Sequence, residues 1–197
     1  MIALLDYGAG NLASVARALE AVGASVRATR SARDLVAADA IVVPGVGHFS
    51  ATDGIGDDTR SALLACARTK PLLGICLGLQ FLFEGSEESP DRRGLGLLSG
   101  RCEILAASAS VKVPHVGWNT VEPIGASRLL GGVPTESAFY FTHSYAAPVT
   151  DACVARTEYT MPFAAVVEAG LVAGVQFHPE KSGRAGLQVL RNFLDAV

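Results

Sequence analysis

The first eighty residues of the chain alternate short apolar runs with amphipathic segments. Apolar runs of strand length lie at residues 2–6, 25–29, 40–43 and 72–75, and helical patterns lie at 11–22, 31–38 and 58–67. In the first helical segment apolar residues recur at the helical period, and Asn11 precedes them as an N-cap candidate. Strands that alternate with helices in this way are typical of a parallel sheet covered on both faces.

From about residue 96 onward the pattern becomes mostly β. Strand-like runs separated by turn residues lie at 96–105, 111–121, 138–146, 153–157, 164–168 and 171–177. A final amphipathic helix is predicted at 185–197, and the polar segment 84–93 is expected to be a solvated loop. We therefore predict an α/β fold, with a mostly parallel open sheet, helices on both faces and additional antiparallel strands in the C-terminal half.

Composition indicates a single domain over residues 1–197. Half of the 197 residues are hydrophobic and 18% are charged, which leaves few charges for the surface and favours a buried partner face. The net charge is −3 and no block of Lys or Arg occurs, so nucleic acid is not expected as a ligand. The N-terminal residues do not read as a signal peptide, and no apolar run approaches the roughly 20 residues of a membrane span. We expect a cytoplasmic protein.

Four cysteines are spread along the chain without a CxxC pair, so neither a zinc site nor a disulfide framework is predicted. One of them, Cys76, stands in the segment Gly-Ile-Cys-Leu-Gly (74–78), between an apolar run and a helical run. A cysteine flanked by glycines at a strand-to-helix turn can adopt strained backbone angles that expose its sulfur, and the amides of the following helix favour the thiolate. By itself this segment is equally consistent with a buried structural cysteine.

A second segment, Gln-Phe-His-Pro-Glu (176–180), supplies a base and an orienting carboxylate. His178 and Glu180 are two residues apart at a strand end, and the strand period of two could place both on one face. A carboxylate beside an imidazole fixes its tautomer and stabilises its protonated form. Together, the two segments predict a Cys76-His178-Glu180 triad.

A glycine-containing turn, Pro-Gly-Val-Gly (44–47), follows the strand at 40–43 and could bring the amides of Gly45, Val46 and Gly47 to the same sheet edge as the cysteine. Such amides can form an oxyanion hole, and the amide of Leu77, directly after the nucleophile, is the expected second donor. A tight turn without a ligand is the alternative for this segment.

Other motifs are weaker. The segment Gly-Ala-Gly-Asn-Leu-Ala (8–13) fits the dinucleotide pattern GxGxxA, but the acidic residue expected after the second strand is missing, so no cofactor is predicted. The strand around His143 and Ser144 is either half-buried sheet or a source of donors to a polar ligand. Trp118 is either a core residue or an exposed interface anchor.

Taken together, these segments resemble the class I, triad-type glutamine amidotransferases, and among them closely the glutaminase subunits of imidazole glycerol phosphate synthase. The elbow at 74–80 and the relay at 176–180 carry the class-level resemblance. Five dispersed segments carry the finer one: Asp-Tyr-Gly-Ala-Gly-Asn (6–11), Pro-Gly-Val-Gly (44–47), Pro-His-Val-Gly-Trp-Asn (114–119), Tyr-Phe-Thr-His-Ser-Tyr (140–145) and Lys-Ser-Gly (181–183). The family implies a flavodoxin-like sheet.

The resemblance implies that Cys76 attacks the side-chain amide of glutamine, releasing ammonia and forming a γ-glutamyl thioester that water hydrolyses. It also implies that glutamine is held beside residues 45–47 by Gln80, His143, Ser144 and Tyr145. No metal or cofactor is implied.

The implied partner is a (β/α)₈ barrel cyclase that forms a heterodimer with the glutaminase and uses its ammonia. The cyclase would convert the phosphoribulosyl formimino intermediate PRFAR to imidazole glycerol phosphate and AICAR, in histidine biosynthesis. The family's interface segments imply that the docking face carries Asn11, Lys112, Trp118, Tyr140 and Lys181. They also imply that glutaminase activity stays low until the partner binds its substrate, when a peptide in residues 44–47 completes the oxyanion hole.

Three alternatives remain open on the sequence. One is the glutaminase subunit of pyridoxal phosphate synthase, although its Gly-Gly-Glu-Ser loop is absent here. The others are a catalytically silent interaction module of the same fold and a thiol hydrolase that acts on another amide.

Overall fold

The computed structural model describes residues 1–107 and 111–197. Within them the α-helices are α1 (Leu12–Ala21), α2 (Ala32–Ala37), α3 (Asp57–Cys66), α4 (Leu77–Leu82) and α5 (Gly183–Leu194). Short 3₁₀ helices lie at Phe49–Gly54 and Pro179–Lys181. None of the described helices has the length and hydropathy needed to span a membrane.

The strands of the N-terminal half are β1 (Ile2–Leu5), β2 (Val26–Thr29), β3 (Ala40–Val43), β4 (Leu72–Ile75), β5 (Gly85–Ser86) and β6 (Ser89–Arg93). Those of the C-terminal half are β7 (Arg101–Ile104), β8 (His115–Thr120), β9 (Glu122–Pro123), β10 (Ala138–His143), β11 (Tyr145–Ala146), β12 (Cys153–Glu158), β13 (Pro162–Ala169) and β14 (Val172–Val175). The predicted helices and long strands are all present, with ends that differ by a few residues.

The main sheet confirms the predicted fold class. Its strand order is β2-β1-β3-β4-β14-β13-β12-β9. The first five strands in this order are parallel to one another, and the last three continue the sheet in antiparallel fashion. Strand β14, from near the C-terminus, lies beside β4 in the middle of the sheet.

Helices cover both faces of this sheet, as the alternation of side chains along the strands requires. On β1, Ala3 and Leu5 join a core with α2 and α3, while Ile2 and Leu4 join a second core with α1 and α5. Asn11 caps α1, since its side-chain oxygen accepts a hydrogen bond from the Ser14 amide at 3.2 Å. The apolar face predicted for the last helix packs, through Leu190 and its neighbours, into the second core.

Two smaller sheets lie beside the main one. Strands β8 and β10 form an antiparallel pair, and β11, β7, β5 and β6 form a four-stranded sheet in that order. The prediction of a solvated loop at residues 84–93 was wrong, because this segment forms the β5–β6 hairpin. Ser86 and Ser89 are buried in the hairpin, while Arg92 and Arg93 stay exposed, so a run of polar residues concealed a paired strand.

Close backbone contact at the β4–α4 turn explains its two glycines. A β-carbon on Gly74 would lie 2.7 Å from backbone atoms of Gly78 and Leu79, and one on Gly78 would lie 1.8 Å from the carbonyl oxygen of Val43. Neither contact is possible for a larger residue without moving a strand. The lack of side chains at Gly74 and Gly78 therefore allows the close packing of this turn, including its contact with β3.

We expect Gly78→Ala to destabilise the fold by roughly 3 kcal/mol or more, because the added methyl group overlaps a main-chain oxygen. Chemical denaturation followed by circular dichroism measures this change. The matched control is Gly125→Ala, whose β-carbon would lie 4.0 Å from the nearest atom, Val154 Cα. Equal stability of the two variants would contradict the packing argument.

Candidate active site

The ends of two neighbouring parallel strands create the site. Ile75 of β4 is paired with Val175 of β14, and the amide of Cys76 donates a hydrogen bond to the carbonyl of Val175 at 2.8 Å. The chain leaves both strands at the same edge, so the residues that follow them meet there. The turn after β4 carries the cysteine, and the turn after β14 carries His178.

Cys76 has the strained geometry that the sequence predicts for a nucleophile elbow. Its φ is 52° and its ψ is −107°, and it is the one non-glycine residue with positive φ among the described residues. Such angles are costly for a residue with a β-carbon, and they persist only where the surrounding structure imposes them. The side chain is buried, yet it lines a pocket.

His178 and Glu180 form a buried pair behind the cysteine. His178 Nδ1 lies 2.8 Å from Glu180 Oε1, and each side chain is 2% exposed. The two residues meet through the 3₁₀ turn at Pro179–Lys181 rather than through the strand period proposed from the sequence, because β14 already ends at Val175. Nδ1 is held by the carboxylate, and Nε2 is buried without a hydrogen-bond partner among the described residues.

The charges around His178 favour its protonated form. Burial by itself lowers the pKa of this imidazole, but the nearby sulfur of Cys76 and the hydrogen bond to Glu180 outweigh burial, so the pKa is raised. An imidazolium beside the sulfur stabilises a thiolate by charge attraction. The arrangement can therefore hold a nucleophile and a proton donor next to each other.

The pocket in front of the sulfur gathers most of the ligand-binding residues proposed from the sequence. It has a volume of about 40 Å³, enough for only a few water-sized groups. It is lined by Gly47, Cys76, Leu77, Gln80, Glu88, Thr142, His143, Ser144 and Tyr145. Of the predicted turn, Gly47 reaches the pocket lining, whereas Gly45 and Val46 do not.

Glu88 is the pocket residue that sequence reasoning missed. It lies in the turn of the β5–β6 hairpin, within the segment interpreted as a loop, and its Oε2 accepts a hydrogen bond from the Phe49 amide at 2.7 Å. No periodicity or motif marks it, because the hairpin brings it to the pocket from outside the main sheet. It is the only carboxylate in the pocket lining.

One of the predicted oxyanion donors, the Leu77 amide, is bonded to the turn at residues 44–47. The Leu77 amide donates to the Gly45 carbonyl at 3.3 Å, and Tyr7 Oη donates to the Pro44 carbonyl at 2.7 Å. Gly10 packs on the same turn, since a β-carbon there would lie 3.2 Å from Gly45 Cα. In this conformation a carbonyl oxygen occupies the position at Leu77 that an oxyanion would need.

Gly10 belongs to the segment that fits the dinucleotide pattern. Gly10 packs against Gly45 of the turn at residues 44–47. Among the described residues, no group of three or more His, Cys, Asp or Glu side chains is arranged to hold a metal ion. All four cysteines are free and buried.

A chain of hydrogen bonds joins two buried histidines to the pocket wall. His143 Nδ1 lies 3.0 Å from the Tyr145 carbonyl, and its Nε2 lies 3.2 Å from His115 Nδ1. Asn119 Nδ2 completes the chain at 3.5 Å from His115 Nε2. The carbonyl can only accept, so His143 donates from Nδ1 and accepts at Nε2 from His115. Both imidazoles are neutral in this arrangement.

An exposed aromatic cluster lies on the opposite side of strands β8 and β10. Trp118 is 58% exposed, which answers the question left open by the sequence in favour of the surface. Its ring meets that of Tyr140 edge-on with centroids 6.0 Å apart, and Lys181 Nζ lies 5.2 Å from the Tyr140 ring centre. Lys112 is also exposed, and its carbonyl accepts a hydrogen bond from Tyr159. The exposed Asn11 lies apart from these contacts, at the start of α1.

Comparisons with known proteins point to one family. The chain matches the family described as glutamine amidotransferase class-I over residues 3–197. It is 47% identical to the imidazole glycerol phosphate synthase subunit HisH of Methanothermobacter thermautotrophicus, with 100% of this chain and 99% of the relative covered. It is also 47% identical to the subunit of the same name from Deinococcus radiodurans, with 98% and 92% covered.

Solved structures show the same fold at lower identity. A structure described as a glutamine amidotransferase has a TM-score of 0.75 at 19% identity and covers 99% of this chain and 97% of its own. The PurLQS structure from Thermotoga maritima contains a chain with a TM-score of 0.71 at 20% identity, with 98% and 97% covered. These likenesses concern the fold alone.

We expect folding stability to fall as the pH drops from about 6.5 to about 4, because the fold keeps its two buried histidines neutral. Burial lowers the pKa of His115 to about 4, and burial together with His115 lowers the pKa of His143 to about 3. Unfolded histidines titrate near 6.5, so the unfolded chain binds more protons throughout this window and gains stability relative to the fold. Urea unfolding between pH 7 and 4.5 measures the slope.

The variant His115→Phe tests whether His115 contributes to this loss of folding stability at low pH. The phenyl ring keeps the stacking against Phe141 and Tyr159, whose ring centres lie 4.8 and 3.9 Å away, but it cannot be protonated. The slope of the free energy of unfolding with pH should decrease, because the unfolded chain then takes up at most one proton fewer than in the parent. A parent protein whose stability is flat between pH 6.5 and 4.5 would contradict the prediction.

Proposed function

The chain belongs to the class-I glutamine amidotransferases, and from this membership we propose that it is the glutaminase subunit of imidazole glycerol phosphate synthase. The observation that carries the proposal is Cys76 at a positive-φ elbow, backed by the buried His178–Glu180 pair and facing a polar pocket. Full-length relatives at 47% identity that bear this subunit's name support the choice within the family.

The proposed reaction starts with attack of the Cys76 thiolate on the side-chain carbonyl carbon of glutamine. A tetrahedral intermediate forms, and the imidazolium of His178 donates a proton to the leaving nitrogen, so that ammonia departs and a γ-glutamyl thioester remains. His178 then accepts a proton from the attacking water, and collapse of the second tetrahedral intermediate releases glutamate and restores the Cys76 thiolate beside the imidazolium. Glu180 holds the imidazole by Nδ1, so that Nε2 carries the proton in each step.

Pocket chemistry suits the polar ends of glutamine. We propose that the Glu88 carboxylate binds the α-ammonium group of glutamine, because it is the one anionic side chain among the described residues that line the pocket. Both N–H groups of Gln80 are already engaged, with the Tyr145 carbonyl and with Gln176. Gln80 would therefore meet the substrate through its carbonyl oxygen. His143, Ser144 and Tyr145 form the opposite wall.

A rearrangement of residues 44–47 accompanies activation in this proposal. Attack on the amide requires a donor at Leu77, but the Gly45 carbonyl accepts that donor's hydrogen bond in the present conformation. Rotation of a peptide in this turn would free the Leu77 amide, and glycines at 45 and 47 make other backbone angles accessible. Partner binding supplies the free energy for this change.

The partner in this proposal is a (β/α)₈ barrel cyclase that receives ammonia directly, before bulk water can protonate it. The proposed docking face contains the aromatic cluster of Trp118, Tyr140 and Lys181, with Asn11 and Lys112. A 58% exposed tryptophan held by a neighbouring ring is typical of an interface anchor, because burial of a rigid aromatic costs little side-chain entropy.

We expect Cys76→Ala to abolish imidazole glycerol phosphate formation from glutamine while leaving formation from ammonium salts intact. The reason is that the sulfur generates ammonia but takes no part in its later reaction with PRFAR. The measurement is product formation by the complex with a barrel cyclase, using glutamine or ammonium chloride at alkaline pH.

Cys153→Ala is the matched control, since Cys153 lies on β12 and does not line the pocket. It should keep both activities within a factor of about two. Loss of both activities in Cys76→Ala would show that the residue has a structural role and would remove support for the proposed mechanism.

Trp118→Ala should weaken the response to the partner without unfolding the chain. Truncating an exposed interface aromatic removes roughly 2 kcal/mol of binding free energy, a loss of about thirtyfold in affinity. Titration calorimetry with the cyclase, together with the increase in glutamine hydrolysis when PRFAR is added, measures the effect. Unchanged affinity and an unchanged increase would exclude Trp118 from the docking face.

A further inference from the structure

The sulfur of Cys76 receives a hydrogen bond from a side chain outside the triad. Gln176 Nε2 lies 3.6 Å from Cys76 Sγ, a normal distance for an N–H···S hydrogen bond. Gln176 directly follows β14, as Cys76 directly follows β4, so the pairing of the two strands fixes their relative position. The side chain of Gln176 is completely buried.

The orientation of the Gln176 amide is determined by its neighbours. The terminal atom of Gln80 that lies 2.7 Å from the Tyr145 carbonyl must be nitrogen, because a carbonyl oxygen can only accept. The same nitrogen lies 3.2 Å from one terminal atom of Gln176, which must therefore be oxygen. The other terminal atom of Gln176, the one facing the sulfur, is then the NH₂ group.

This network continues away from the sulfur. The Tyr145 carbonyl that anchors Gln80 also accepts the hydrogen bond from His143, which is held in turn by His115 and Asn119. A connected series of hydrogen bonds thus runs from β8, the strand that carries the exposed Trp118, to the nucleophile. A flip of the Gln80 or Gln176 amide would place two like atoms opposite each other and break a hydrogen bond of the network.

We propose that Gln176 is a catalytic hydrogen-bond donor that stabilises the thiolate of Cys76, with Gln80 as the positioning residue that directs its amide to the sulfur. A donor favours an anion over a neutral thiol, because a charge-assisted hydrogen bond is stronger than a neutral one. The first amide of α4, the usual helix donor to such a sulfur, is bonded to the Gly45 carbonyl instead. Gln176 supplies a donor from outside the triad that contacts the sulfur.

The use of this hydrogen bond in glutamine hydrolysis rests on the proposed function. The stabilisation of the thiolate by Gln176 does not. The thiolate itself can be measured without glutamine or a partner. Iodoacetamide reacts with the thiolate, forming an S–C bond and releasing iodide, so the alkylation rate at each pH reports the ionised fraction. Mass spectrometry of the peptide that contains Cys76 separates it from Cys66, Cys102 and Cys153.

The test compares the pH profile of Cys76 alkylation in the parent chain and in Gln176→Met, which keeps the length of the side chain but removes the donor. We expect the midpoint of the profile to move upward by about one pH unit, the shift that loss of one charge-assisted hydrogen bond produces. Gln176→Glu should move it further, because a second negative charge then faces the sulfur. Gln188→Met, a change on α5 away from the site, should leave the midpoint unchanged.

Superimposable profiles of the parent and Gln176→Met would overturn the proposal, whether or not the chain proves to hydrolyse glutamine. If Gln176→Met does not fold, the parent chain provides the test by NMR. The side-chain NH₂ resonances of Gln176 should then shift with the same midpoint as the alkylation profile and lose that step in Cys76→Ala. Resonances without such a step would also overturn it.

Discussion

The pairing of β4 with β14 is the constraint on which the rest of the structure depends. Strand β14 comes from the C-terminal end of the chain, yet it lies parallel to β4 in the middle of the sheet, with Ile75 opposite Val175. Both strands end at the same edge of the sheet. The residues that follow them, Cys76 and Gln176, therefore lie within hydrogen-bonding distance of each other. His178 follows two residues later. The proposed nucleophile and its proposed base, about a hundred residues apart in the sequence, are thus brought together by one strand pair.

Strain and close packing at the elbow have the same origin. Cys76 has its positive φ in a turn where Gly74 lies directly against the start of α4 and Gly78 lies directly against Val43 of β3. The turn that follows β3 then meets the start of α4, where the Gly45 carbonyl accepts the Leu77 amide. Catalytic readiness at this site is accordingly a matter of backbone hydrogen bonding, and a change of one peptide's partner would alter it without moving the triad.

The two surfaces of the β8–β10 pair carry different sets of side chains. One surface carries the buried histidines that end at the pocket wall, and the other carries the exposed Trp118 and the half-buried Tyr140. A strand has this property because successive side chains point to opposite faces. The exposed Trp118 and the buried histidines near the pocket are therefore attached to the same two strands.

Local pattern was sufficient for the helices, the main strands, the fold class and the motifs around Cys76, His178 and Glu180, because periodicity and turn chemistry are properties of neighbouring residues. Local pattern did not predict that the β5–β6 hairpin brings Glu88 to the pocket. It also left open whether Trp118 is exposed. It also gave no sign that the Leu77 amide is bonded to Gly45 or that the Gln176 amide faces the sulfur. Those features depend on which distant segments pack together, and only the tertiary structure decides that.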